Sequence, residues 1–175
     1  MTRVVLSIGS NLGDRLAHLR SVVDGLGDAF VAASRVYETD PWGGIEQDPF
    51  LNAVLIADDP DRDCHAWLCR AHEFERAAGR MRDERWGPRT LDVDLVTCAE
   101  ITPSGRVDVL SDDSDLRLPH PLAHLRAFVM IPWLDVDPAA EVPLPDGPRP
   151  VAELLAELQP ADRAGVRLTA LTLGN

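Results

Sequence analysis

Apolar and polar positions alternate along the chain in blocks that predict both strands and helices. Residues 3–9, "RVVLSIG", form an apolar run typical of a buried strand. Apolar residues then recur at helical spacing through residues 16–26, and residues 30–38 and 50–58 predict two further strands. The first third of the chain therefore predicts the order strand, helix, strand, strand.

A second helix and a fourth strand complete this pattern. The helix is predicted from Asp63, a capping residue, to Gly79. Its predicted apolar stripe consists of Trp67, Leu68, Ala71, Phe74 and Ala78. Residues 91–97 then predict a strand. The order β-α-β-β-α-β is that of a ferredoxin-like fold, an α/β fold of the α+β type with an antiparallel sheet.

The rest of the chain can cover the second face of this sheet, so that helices lie on both faces. We predict a short helix near residues 122–127, an apolar segment at 128–134, a helix at 151–158 and a strand-like end at 166–173. The segment "SDDSDLR" and the proline-rich residues 138–150 are predicted to be loops. With 175 residues and 45% hydrophobic content, we expect one domain over residues 1–175.

The strand at 91–97 carries two acidic residues on one face. Alternation places Leu91, Val93 and Leu95 on one side and Asp92 and Asp94 on the other. Two neighbouring carboxylates repel each other, and a divalent cation relieves the repulsion. Magnesium is commonly held by one or two carboxylates together with substrate phosphates. The bland alternative is that both aspartates simply face solvent.

Four arginines precede this strand within "RMRDERWGPR". They are Arg80, Arg82, Arg85 and Arg89. The segment is positively charged in a chain whose net charge is −12, and polyphosphate with magnesium matches both the arginines and the aspartates. A solvated loop in which the arginines pair with Asp83 and Glu84 is the alternative.

Composition excludes several classes of function. The 17 basic residues are all arginine, which excludes the P-loop lysine, the lysine of protein kinases and Schiff-base chemistry. The negative charge disfavours binding to a nucleic-acid backbone. The N-terminal residues lack the apolar stretch of a signal peptide, and the three cysteines form no CxxC pair, so we expect a reducing, cytoplasmic location.

Other polar residues are weaker candidates. Arg117, His120 and Arg126 form a second basic cluster that could face phosphate, although a histidine beside proline is more often structural. The amide of Asn52, in an apolar strand, could read a heterocycle or be satisfied by a loop. The helical trio of His65, Cys69 and His72 lacks a fourth ligand, which disfavours zinc.

Two other classes of function are also compatible with these residues. Nucleotidyltransferases also pair strand aspartates with two metals, but their Gly-Ser turn lies shortly before the aspartates, whereas Gly9 and Ser10 lie some eighty residues earlier. A ferredoxin-like module that binds a small ligand or RNA is the non-enzymatic reading, and the acidic charge disfavours RNA.

The segment "RWGPRTLDVDLV" resembles the signature of the 6-hydroxymethyl-7,8-dihydropterin pyrophosphokinase family of folate biosynthesis. The similarity extends to "IGSNLGD", "YETDPWG", "FLNAV", "EFERAAGRMR" and "LPHPLAHLRAF". The resemblance implies a ferredoxin-like core and transfer of diphosphate from ATP to the pterin hydroxymethyl group, with release of AMP. It implies small-molecule partners, with no nucleic acid or membrane, and we expect a monomer.

The same resemblance implies the residue roles. Asp92 and Asp94 would coordinate two magnesium ions, with Asp94 near the attacking hydroxyl. The arginines and tryptophan expected to contact the transferring phosphates or organise the mobile loop are Arg80, Arg82, Arg85, Trp86 and Arg89. Nucleotide contacts fall on Glu75, His120 and Arg126. The pterin pocket would consist of Thr39, Pro41, Trp42, Phe50, Asn52 and Phe128.

Overall fold

The computed structural model describes residues 1–41, 46–79 and 90–174. Its strands are β1 (Thr2–Ser10), β2 (Phe30–Ala33), β3 (Tyr37–Thr39), β4 (Phe50–Asp59), β5 (Asp92–Thr102), β6 (Gly105–Asp108), β7 (Ser111–Asp112), β8 (Arg117–Leu118), β9 (Glu141–Leu144), β10 (Gly147–Pro150) and β11 (Val166–Leu168). Its helices are α1 (Arg15–Leu26), α2 (Cys64–Ala77), α3 (Ala127–Val136), α4 (Val151–Ala156) and α5 (Pro160–Ala164), with 3₁₀ turns at Gly27–Ala29 and Ala123–Leu125.

The central sheet confirms the predicted ferredoxin-like pattern. Its strand order is β11-β3-β4-β1-β5-β6, and the paired strands are antiparallel. The strand predicted at residues 30–38 is divided into β2 and β3, which both pair with β4. Between them, the Ser34 N–H donates to the carbonyl of Val54, and the Ser34 hydroxyl accepts from the Val54 N–H. In the strand order of the sheet, β1 lies at the centre, between β4 and β5.

A hydrophobic cluster covers each face of this sheet. On the first, the α1/α2 face, the cluster includes Val4, Leu6, Ile8, Leu55, Val93, Leu95, Leu19, Val22, Trp67 and Phe74. On the second, the α3/α4 face, it includes Val5, Val54, Val96, Met130, Trp133 and Leu154. The predicted cap of α2 is confirmed, because the Asp63 carboxylate accepts from the Ala66 N–H at 2.8 Å. Helices thus lie on both faces.

The second half of the chain corrects several predictions of local structure. The helix expected near 122–127 is a 3₁₀ turn followed by α3, which takes up the apolar segment. Residues 138–150 are not a loop, since β9 and β10 form a hairpin in which Pro143 faces Pro148. Proline is compatible with a two-stranded hairpin because both strands are edges. The segment 111–117 likewise contains the short β7–β8 pair.

A disulfide joins Cys64, at the start of α2, to Cys98 on β5. The expectation of reduced cysteines, which followed from the expected reducing location, was therefore wrong for this pair. The two residues are 34 positions apart, and their Cα atoms come within 6.1 Å only because α2 packs on β5. Spacing along the chain carries no sign of such a pair, and the third cysteine, Cys69, is free and exposed. The cysteines therefore give no support to a reducing compartment, and the expectation of a cytoplasmic location rests on the other features of the sequence.

In the described ranges, no helix is long and apolar enough to cross a lipid bilayer.

Candidate active site

Asp92 and Asp94 lie side by side at one end of β5, on the α3/α4 face. Both are half-buried, whereas Val93 and Leu95 between and beside them are only 4% exposed on the opposite face. The predicted alternation of this strand is confirmed. In the register of the sheet, Gly9 of β1 faces Asp92. The two carboxylates therefore share one surface beside the central strand β1.

Arg126 brings a buried positive charge to this surface from the layer of helices that covers it. It immediately precedes α3, and its side chain is 7% exposed. Its Nη1 atom lies 3.7 Å from Oδ2 of Asp94, and its guanidinium group lies 5.4 Å from the ring centre of Phe128. The arginine thus connects the carboxylate pair with an aromatic side chain of α3.

His120 is held beside the carboxylates in its neutral form. Its N–H donates to the Val96 carbonyl at 2.8 Å, which fixes the residue against β5. Burial, and then the positive charge of Arg126, lower the pKa of His120 to about 4, although Asp92 acts in the opposite direction. The Nδ1 atom accepts from the Leu122 N–H at 3.1 Å, so the neutral ring carries its proton on Nε2. This N–H is a hydrogen-bond donor for an anionic or carbonyl oxygen.

A cavity of about 310 Å³ opens along the edge of β5 at the carboxylates. Helix α2 contributes Glu75, which is 4% exposed, and the connection before α3 contributes Arg117 and His120. Strand β6 pairs with β5 from Ala99 to Thr102, beyond the cavity. The volume is in the range of small-molecule sites, and the lining combines carboxylates with cationic and neutral donors.

Asn52 lies on the other side of β1, in a fixed orientation. It is 5% exposed, and its Oδ1 accepts from the hydroxyl of Thr39 at 2.6 Å. A Cβ atom on Gly9 would come within 2.5 Å of the Asn52 Nδ2 and 3.5 Å of the Phe50 ring. The amide therefore occupies the space that a side chain at position 9 would take, and its partner is a neighbouring strand rather than a loop.

A second, smaller cavity of about 110 Å³ continues from Thr39. It is lined by Pro41, by Phe128 of α3 and by the segment 161–166. Phe50 and Asn52 are not among its lining residues. The pterin residues expected from the sequence therefore lie in two adjoining places, which Thr39 connects.

The structure brings together the described part of the expected site, and the other part lies outside the described residues. The latter consists of Trp42, Arg80, Arg82, Arg85, Trp86 and Arg89. Among the described residues, no three or more His, Cys, Asp or Glu side chains form a cluster that could hold a metal ion, and this includes His65, Cys69 and His72.

Sequence reasoning missed two residues that support the site. Asn11 Nδ2 donates to Gln47 Oε1 and to the carbonyl of Asp48, both at 2.9 Å. Arg15 Nη1 donates to the carbonyl of Pro49 at 3.0 Å. Asn11 follows β1 directly, and Arg15 is the first residue of α1. The signal available in the sequence was an asparagine directly after an apolar strand, and the structure shows that this asparagine is buried.

Solved structures share the fold. A Plasmodium falciparum HPPK-DHPS protein, solved with SDX-DHP, superposes with a TM-score of 0.61 at 12% identity over 89% of this chain. The match covers 44% of that protein, so this chain spans less than half of its length. At this identity, the likeness shows the fold alone.

Curated relatives are much more similar in sequence. A Mycobacterium tuberculosis protein named 2-amino-4-hydroxy-6-hydroxymethyldihydropteridine pyrophosphokinase is 66% identical over 169 residues, which cover 96% of this chain and 90% of that protein. Proteins of the same name from Mycobacterium leprae and Pseudomonas aeruginosa are 62% and 35% identical, over 99% and 88% of this chain and 92% and 90% of their own lengths. A family model also matches residues 5–138. The chain belongs to the 7,8-dihydro-6-hydroxymethylpterin-pyrophosphokinase (HPPK) family.

Proposed function

We propose that this protein transfers diphosphate from MgATP to the hydroxymethyl group of 6-hydroxymethyl-7,8-dihydropterin, releasing AMP, as a step in tetrahydrofolate biosynthesis. One observation carries the proposal. The carboxylates of Asp92 and Asp94 lie between a cavity of about 310 Å³ and the fixed amide of Asn52. The reaction needs these two binding places next to each other, because it joins two substrates.

The carboxylate pair suits magnesium. Asp92 and Asp94 provide hard oxygen ligands that border an open cavity, where substrate phosphates and water can complete an octahedral shell. We propose that they hold two Mg²⁺ ions. When bound, the ions neutralise the triphosphate charge and polarise its oxygens. Asp94 would also lie near the attacking hydroxyl group and help to orient it.

The nucleotide is expected in the larger cavity. Glu75 is placed to accept hydrogen bonds, and the Nε2–H of His120 to donate one. Arg126 lies within ion-pair distance of Asp94, so it can also contact a phosphate oxygen there. From the resemblance, we assign further triphosphate contacts to the arginines and the tryptophan of the preceding segment. They are Arg80, Arg82, Arg85, Trp86 and Arg89, with Arg80 and Arg89 gripping the transferring group.

The pterin is expected between the aromatic rings of Phe50 and Phe128. The Asn52 amide would read the polar edge of the ring, because Thr39 holds its Oδ1 and so fixes which way the amide points. Thr39, Pro41 and Trp42 would complete the pocket through their backbone groups. With ATP in the larger cavity and the pterin between the two rings, the hydroxymethyl group would point towards the carboxylates, where in-line transfer requires it.

We further propose that residues 1–175 act as one domain, as a monomer, in the cytoplasm. Support for one domain comes from the central sheet, which joins β1 with β11 from the other end of the chain. Sedimentation of the purified protein tests the monomer, with a single species of 19.2 kDa as the expected result.

The reaction products test the proposed function. The purified protein is incubated with MgATP and 6-hydroxymethyl-7,8-dihydropterin, and the nucleotide products are separated. AMP in equal amount to pterin diphosphate is the expected result. ADP would instead indicate an ordinary kinase, free pyrophosphate would indicate a nucleotidyltransferase, and either outcome contradicts the proposal.

A further inference from the structure

The connection between β3 and β4 is tied at both of its described ends. At the β3 end, the Asp40 N–H donates to the carbonyl of Gly165 at 3.0 Å, and the Asp40 carboxylate accepts from Arg167 Nη1 at 3.1 Å. At the β4 end, the carbonyl of Pro49 accepts from Arg15 Nη1 at 3.0 Å. The two ends are thus held by different arginines, one from β11 and one from α1.

Glu38 joins these two attachments into one network. Its Oε2 lies 3.2 Å from Arg15 Nη1, and its Oε1 lies 3.8 Å from Arg167 Nη2. Charges alternate from Arg15 through Glu38 and Arg167 to Asp40, so each charge has an opposite neighbour. We call these four residues the Glu38 network.

We propose that the Glu38 network positions the pterin pocket by holding the ends of the β3–β4 connection at a fixed separation; this inference rests on the proposed function. Thr39 lies between Glu38 and Asp40, with its side chain on the opposite side of the strand, where it bonds to Asn52. The other end of the connection leads directly into Phe50. Asp40 also lines the smaller cavity that continues from Thr39, whereas Arg15, Glu38 and Arg167 are not among its lining residues. These three act on the pocket through the residues that line it.

The pterin side of the site depends on this network in a way that the nucleotide side does not. None of its four members is among the residues that line the cavity beside Asp92 and Asp94. Arg167 belongs to β11, which pairs with β3 and lies beyond residue 138, where the family match ends. The C-terminal segment therefore supports one substrate pocket selectively.

The individual ion pairs are half-exposed, which limits the effect of each on stability. The side chains of Arg15 and Glu38 are 32% and 34% exposed, and that of Arg167 is 47% exposed. Pairs of this kind contribute little to the free energy of unfolding. Loss of the network should therefore alter pterin binding while leaving the fold intact.

The test compares Glu38→Gln and Arg167→Ala with Arg149→Ala. Arg149 is the matched control, since it also lies in the C-terminal part of the chain and pairs with Glu153 and Glu157, at 40% exposure. For both network variants, we expect the KM for 6-hydroxymethyl-7,8-dihydropterin to rise about three- to tenfold, with kcat and the KM for ATP within about twofold of wild type. Arg149→Ala should leave all three constants unchanged.

Two further readouts separate positioning from a general loss of structure. Arg167→Lys should recover part of the lost pterin affinity, because it restores the charge. Raising the NaCl concentration should increase the wild-type KM for pterin and have little effect on Glu38→Gln, since salt screens half-exposed pairs. Melting temperatures of all variants should remain close to that of the wild type.

The outcomes distinguish this inference from the proposed function. If the wild-type protein forms AMP but the pterin KM of Glu38→Gln is unchanged, or rises no more than that of Arg149→Ala, the network has no positioning role. A fall in kcat at constant pterin KM also overturns it. Failure of the wild-type protein to form AMP overturns the proposed function and this inference with it.

Discussion

The two faces of the central sheet use the same strands for opposite purposes. On the α1/α2 face, apolar residues continue to the strand ends, as in Ile8 of β1 and Val93 of β5. On the α3/α4 face, they stop halfway. Along β5, Val96 is buried beneath α3, but the next positions on that face are Asp94 and Asp92.

The same change occurs on the neighbouring strands. On β1, Val5 is followed on this face by Ser7 and Gly9, and on β4, Val54 is followed by Asn52. Helix α3 begins at Ala127, just after Arg126 reaches the carboxylates. The candidate site therefore lies where the hydrophobic cover of one face ends. Polar residues there occupy register positions that elsewhere in the sheet belong to the core.

The largest effect is expected from removing a carboxylate on the α3/α4 face. Asp94→Asn should lower kcat about 10³-fold or more, because the metal seat supplies several kcal/mol of transition-state stabilisation. The free energy of unfolding should change by no more than about 1 kcal/mol, since the amide keeps the shape of the side chain. AMP formation and urea denaturation measure the two quantities. Near-normal turnover would contradict the assignment of the catalytic site to the α3/α4 face.

A core residue on the other face should show the reverse result. Leu6→Ala, on β1 opposite Leu95, removes a side chain that is 1% exposed and should lower the free energy of unfolding by about 2–5 kcal/mol. Leu6 does not line the cavity beside the carboxylates, so kcat should stay near the wild-type value at a temperature where the variant remains folded. Unchanged stability in urea denaturation would contradict the assignment of Leu6 to the core.

The free energy of unfolding should depend on pH through His120. Its pKa is lowered from 6.5 to about 4, so the unfolded chain binds more protons than the folded chain between these values. The stability associated with neutral His120 is thus fully present above pH 6.5 and is lost as the pH falls towards 4. The loss should be about 2–3 kcal/mol in the ligand-free protein.

His120→Asn provides the comparison for this effect. The variant should lose less stability than the wild type between pH 6.5 and 4, as measured by urea denaturation at several pH values. Equal slopes for the two proteins would show that His120 is not held neutral.

The smallest effects are expected from alanine substitutions at two glycines, Gly9 and Gly25, one on each face of the sheet. A Cβ at Gly9 would meet Asn52 at 2.5 Å, and a Cβ at Gly25 would meet the Phe74 ring at the same distance. Gly9→Ala should chiefly raise the pterin KM, about tenfold, because the added Cβ displaces the Asn52 amide from the orientation that Thr39 holds. Gly25→Ala should instead lower the free energy of unfolding by about 1–3 kcal/mol and leave the KM unchanged. If both variants changed the same quantity, the two faces would not be functionally distinct.

The features that local sequence patterns predict are those that depend on neighbouring residues. The alternation of Asp92 and Asp94 with Val93 and Leu95 follows from strand geometry, and the cap at Asp63 from the end of a helix. The family resemblance added the roles of residues that no spacing would assign. Of these, Asn52 and Arg126 do reach the same end of the sheet.

The remaining features depend on contacts between distant segments. The Cys64–Cys98 pair exists because α2 packs on β5, and Arg167 meets Asp40 across 127 residues because β11 pairs with β3. The β9–β10 hairpin was predicted to be a loop because its segment is rich in proline. Such contacts leave no periodic signal in the sequence, since they depend on the register of the complete sheet.

The most direct test of the account is a crystal structure of the protein with Mg²⁺ and an ATP analogue that has a methylene group between its α and β phosphorus atoms. We predict Mg²⁺ ions bound by Asp92 and Asp94 at about 2.0–2.1 Å, with the triphosphate beside Arg126 and the nucleoside in the cavity next to His120. A nucleotide bound elsewhere, with both carboxylates free of metal, would contradict the account.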